Sequence, residues 1–108
     1  MDRAEVAPLA CDIAALTAEE RGRRQVLADH LHAATHEMRE RADGYAFRYP
    51  AALLLTVTAF VALERRCCPF FRFTLDVEPN DGPLWLVITG HEDVKVFIAT
   101  ELGLAGSG

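Results

Sequence analysis

Serine is nearly missing from this chain. Ser107 is the only one among 108 residues. A serine nucleophile is therefore excluded, and neither a Gly-x-Ser-x-Gly turn nor a glycine-rich phosphate loop occurs. Positive charge is also short. The formal net charge is -5 at pH 7, and the basic residues are scattered, with pairs at Arg23-Arg24 and Arg65-Arg66 that form no stripe. A nucleic-acid partner needs a basic face to neutralise phosphates, so none is expected. Long apolar runs are missing too. The longest, Ala51 to Leu63, contains Thr56 and Thr58 and stops at Glu64-Arg65-Arg66. A bilayer span needs ~20 apolar residues, so no membrane partner is expected. Met1-Asp2-Arg3-Ala4-Glu5 has no apolar stretch of the kind a secretion signal carries, and the expected location is cytoplasmic. The three cysteines, Cys11, Cys67 and Cys68, are an odd set with two adjacent members. That is not the framework of a disulfide-built secreted domain, and in a reducing compartment the thiols should be mostly free.

Hydrophobic residues make up 51% of the chain, enough for one domain with its own core. Residues 1–15 read as a flexible leader, 16–103 as a single domain and 104–108 as a frayed tail. Thr17 with Glu20 three residues on forms a capping-box signature. It predicts a helix to about Thr35, with Leu27, Leu31 and Ala34 as its apolar stripe and Met38 as a candidate extension of it. Glu37–Ala42 and Tyr45–Tyr49 flank Asp43-Gly44, which reads as a two-residue hairpin turn. Pro50 then opens a second helix through about Arg66, and Pro69 disfavours helical geometry at Cys68. Phe71 to Val77 alternates as a third strand. Leu84 to Thr89, apolar on both faces, reads as a central fourth strand. Val94, Phe97, Ile98 and Leu102 give a last helix its stripe, and Gly103 ends it. The order α-ββ-α-ββ-α implies an α+β fold: a four-stranded antiparallel sheet with helices packed on one face.

Reactive chemistry gathers at the end of the second helix. At 100° per residue, Leu53, Val57, Phe60, Val61 and Glu64 share one sector, and Cys67 and Cys68 flank Glu64. Glu64 stands where the pattern calls for a leucine. A buried carboxylate must be protonated, paired or coordinated. A purely structural reading pairs Glu64 with Arg48 or Arg72 and makes the cysteines core residues. A metal reading has Cys67 and Cys68 ligate a soft ion such as Hg(II), Cu(I), Zn(II) or trivalent arsenic, with Glu64 or Cys11 completing a low-coordinate site. A structural zinc site is disfavoured, because paired four-ligand spacing is missing. An enzymatic reading uses a cysteine nucleophile with Glu64 as general acid/base. A thioredoxin-like role is disfavoured, since the cysteines are adjacent and lie at a helix C-terminus.

His32 and His36 are four apart, but they lie opposite the Leu27/Leu31 stripe and are weak ligand candidates. His30 sits at the stripe's edge, His91 near the start of the last helix, and Trp85 reads as a sheet aromatic.

Glu64-Arg65-Arg66-Cys67-Cys68-Pro69-Phe70, an alternating strand, then Gly82-Pro83-Leu84-Trp85-Leu86 and Thr89-Gly90 carry a resemblance. Over about Asp43 to Leu102 the chain resembles a group of small, functionally uncharacterised bacterial proteins that share a Glu-Arg-x-Cys-Cys-Pro-Phe segment. The resemblance implies no activity. In composition alone, two cysteines and a carboxylate resemble the set used by organomercurial lyases, whose spacing this chain does not match.

Overall fold

The computed structural model describes residues 12–101. Most of the expected leader, with Cys11, lies outside the described residues, as do Leu102, Gly103 and the expected tail. A short 3-10 turn over Ile13–Ala15 leads into helix α1, Ala18–Ala34. The expected capping box is present: the Thr17 hydroxyl accepts from the Glu20 N–H, and the Glu20 carboxylate accepts from the Thr17 N–H. Strands β1 (Glu37–Arg41) and β2 (Gly44–Tyr49) follow. A 3-10 turn after Pro50 feeds α2, Leu54–Cys67. Strands β3 (Arg72–Val77) and β4 (Leu84–Thr89) precede α3, Glu92–Glu101. No helix among the described residues is long and apolar enough to cross a membrane.

The four strands form one antiparallel sheet in the order β1-β2-β4-β3. The strand read as apolar on both faces, β4, is central, as is β2. Alternation sends Phe47, Tyr49, Leu84, Leu86 and Ile88 to one face. There they pack with Leu31 of α1, Val57 and Phe60 of α2, and Val94 and Ile98 of α3. The helices therefore share one side of the sheet. Residues at the intervening positions, such as Arg39, Arg48 and Arg72, belong to the other face.

The hairpin turn differs from expectation by one residue. Arg41 pairs with Gly44, so Ala42 and Asp43 make the turn and Gly44 belongs to β2. Its glycine is needed for close approach rather than for a left-handed backbone: a Cβ there would lie 1.9 Å from the Ile88 carbonyl oxygen of β4. The left-handed conformations occur instead at Asn80 and Asp81, in the polar turn between β3 and β4.

Candidate metal centre

Helix α2 places its last turn against the short turn that precedes α1. Val57, Phe60, Leu63, Glu64 and Cys67 are its buried residues, while Leu55, Thr58, Arg65 and Arg66 face water. Cys68 leaves helical geometry at φ -124° and ψ 70°, as expected before Pro69. Its N–H still donates to the Glu64 carbonyl at 2.8 Å. The break brings the two cysteine sulfurs within 3.8 Å of each other. Glu64 is 1% exposed and both cysteines 0%. Leu16 and Leu63 are buried with the cysteines, and Leu27, Phe70 and Phe71 pack around them. Phe70 stands edge-on to both Phe71 and Phe97, which ties this corner to α3. On the other side, the Asp12 N–H donates to the Cys67 carbonyl at 2.6 Å. Arg66 bonds the Glu20 carboxylate and the Ala15 carbonyl, which stitches the entry to α1 onto the end of α2.

Glu64 has an arginine partner, but not one of the two expected from the sequence. Arg24 of α1 donates through Nε to Glu64 Oε1 at 2.5 Å. Arg48 and Arg72 lie on the far face of the sheet, where Arg48 approaches Glu37 instead. The sequence did hold a signal for Arg24. It precedes Leu27 and Leu31 by three and seven residues, so it extends the buried stripe of α1 by one turn. The pairing explains how a carboxylate persists at a position read as leucine: its charge is compensated where burial alone would expel it.

The sulfurs complete the arrangement. Cys67 is a free thiol, and the sulfur of Cys68 is engaged in a disulfide, where mostly free thiols were expected. Cys67 Sγ lies 3.6 Å from the Glu64 carbonyl and 3.9 Å from Oε1. Cys68 Sγ lies 3.7 Å from Oε2, a contact and not a hydrogen bond while the sulfur carries no proton. Burial pushes the Cys67 thiol above its usual pKa, and the Glu64 charge adds to the rise. Arg24 pulls in the opposite direction. A ligand bond of ~2.3 Å with tetrahedral angles sets donor atoms about 3.8 Å apart. The sulfur–sulfur separation of 3.8 Å matches that spacing, while the two carboxylate contacts, 3.9 and 3.7 Å, are made to different oxygens of Glu64.

Among the described residues, Glu64, Cys67 and Cys68 are the group of three ligating side chains whose donor atoms converge, all within 4.8 Å of one another. Cys11, the expected third thiol, lies outside the described residues. His36 falls beyond the end of α1, where its N–H donates to the Arg48 carbonyl, so it shares no helix face with His32. His30 and His91 are exposed. No protein-family model, curated protein or solved structure matches this chain.

Proposed function

We propose that the reduced protein is a cytoplasmic thiol protein that binds a soft metal or metalloid ion through Cys67 and Cys68, with Glu64 as third ligand or proton acceptor. The observation that carries this reading is the convergence of two sulfurs and a carboxylate in a site closed to water. Thiolates prefer soft ions, and a dry pocket strengthens the attraction between ion and thiolate. Cys11 is the remaining thiol that could join them. Because the Cys68 sulfur is held in a disulfide, the ion site forms only after reduction by a thiol-class reductant. A cytoplasmic thiol pool supplies that condition. The raised pKa and burial of Cys67 count against its use as a nucleophile on a bulky substrate.

One observation favours a second, structural reading. The Arg24–Glu64 pair is what a non-catalytic domain would use to tie α1 to α2. Native mass spectrometry of the reduced chain with Hg(II), arsenite, Cu(I) and Zn(II) separates the two. The metal reading expects one tightly held ion, lost in Cys67→Ser/Cys68→Ser and weakened well over tenfold in either single variant, ~1.4 kcal/mol or more. It also expects His32→Ala and His36→Ala to change little. Equal binding by the wild type and the double variant leaves the structural reading.

A further inference from the structure

The face of the sheet turned away from the helices carries a second polar site, independent of the thiols. Strand register arranges this face in three rows. One row runs Glu37, Arg48, Trp85, Asp76, and the next Arg39, Ala46, Val87, Thr74. The last runs Arg41, Gly44, Thr89, Arg72. The arginines of the first two rows are engaged. Glu37 accepts from Arg39 at 2.7 Å and lies 3.9 Å from Arg48. The Arg39 guanidinium also sits 4.7 Å over the Trp85 ring.

The last row is different. Among the described residues, neither Arg41 nor Arg72 has an ion-pair or hydrogen-bond partner. Between them stands Thr89, which is 9% exposed. Its hydroxyl makes no side-chain hydrogen bond among the described residues. A hydroxyl that is nine-tenths buried, lines the depression and has no protein partner among the described residues is free to donate to a ligand oxygen there. Gly44 leaves the fourth position of the row without a side chain, and backbone packing forbids one there. Arg41, Thr89 and Arg72 line one depression of about 490 Å³, within the ~300–1,000 Å³ usual for small-molecule sites. Asp43 and Asp76 line it as well.

We propose that this row binds the phosphate group of a small phosphorylated polyol. The two guanidiniums supply charge-assisted hydrogen bonds to the phosphate oxygens, and the Thr89 hydroxyl supplies a third donor. Asp43 and Asp76 are acceptors for the hydroxyl groups of the polyol and disfavour a ligand that is anionic throughout. The negative net charge of the chain restricts the preference to this local row and does not extend to a phosphate polymer.

The test is a titration of the 15N-labelled full chain with inorganic phosphate, glucose 6-phosphate and glucose, at constant ionic strength set with chloride. Saturable amide shifts are expected at Arg41, Gly44, Thr89 and Arg72, with glucose 6-phosphate tighter than phosphate and glucose silent. Arg41→Gln/Arg72→Gln should weaken binding by at least about tenfold, and Thr89→Val by a few-fold, with melting curves confirming that each variant folds. Shifts that saturate equally with chloride, that cluster elsewhere, or that persist in the double arginine variant overturn the proposal. So does a change in sedimentation of that variant without any phosphate dependence, which would mean that a second copy of the chain covers this face.

Discussion

The two faces of the sheet handle charge in opposite ways. On the helix side one carboxylate, Glu64, is sealed beside two sulfurs and held by one arginine. On the open side charges are many, exposed and shared loosely across rows. Burial makes the difference. Where water is excluded, each charge needs a dedicated partner and its loss is severe, whereas on a wet surface the same kind of pair contributes little. The closed side can therefore hold ligands in fixed geometry, and the open side can leave arginines uncommitted.

The largest expected effect breaks this contrast directly. Glu64→Gln or Arg24→Met should each destabilise the fold by about 3–5 kcal/mol, since each removes one member of a buried pair. The double variant should recover much of that loss, because both members of this pair are then gone. On the open face, Arg39→Gln should change stability by less than ~1 kcal/mol. Urea melts of the set check the prediction. Comparable losses from Arg39→Gln and Arg24→Met would show that burial does not separate the faces.

A smaller effect compares two glycines. Gly44→Ala drives a methyl group into the β4 backbone and should destabilise by about 3 kcal/mol. Gly22, on the exposed side of α1, has open space where a Cβ would go. Gly22→Ala should stabilise by up to ~1 kcal/mol. Thermal melts should move in opposite directions.

Smaller still is a dependence on pH. The Cys67 thiol has a raised pKa in the folded chain, from burial first and the Glu64 charge second. The unfolded thiol, near ~8.5, ionises first as pH rises, so unfolding is favoured progressively above that value. Stability of the wild type should be level with respect to Cys67 below pH ~8 and fall above it. Cys67→Ala should fall less steeply. Parallel curves for the two proteins would mean that the thiol titrates as if it were solvated.

Local features of the sequence were the legible ones. The capping box at Thr17 and Glu20, the run Leu84–Thr89 apolar on both faces and the helix stop before Pro69 each depend on neighbours in the chain, and each occurs as read. The helical wheel also placed Glu64 with Cys67 and Cys68, because all three belong to one helix end. The partner of Glu64 was not legible in the same way. Arg24 lies 40 residues earlier, and only the packing of α1 on α2 brings it there. The hairpin was displaced for a similar reason. Asp43-Gly44 fits a tight turn locally, but the approach of β4 to Gly44 draws the glycine into the strand. The rows of the open face depend on register across four strands, which no single strand specifies.

The most direct test of the thiol centre is X-ray absorption at the metal edge, on reduced protein loaded with one equivalent of Hg(II). Two sulfur neighbours are expected, with their loss in Cys67→Ser/Cys68→Ser and no such site in protein left unreduced. A spectrum with one sulfur or none, or one that is the same before and after reduction, would contradict the account.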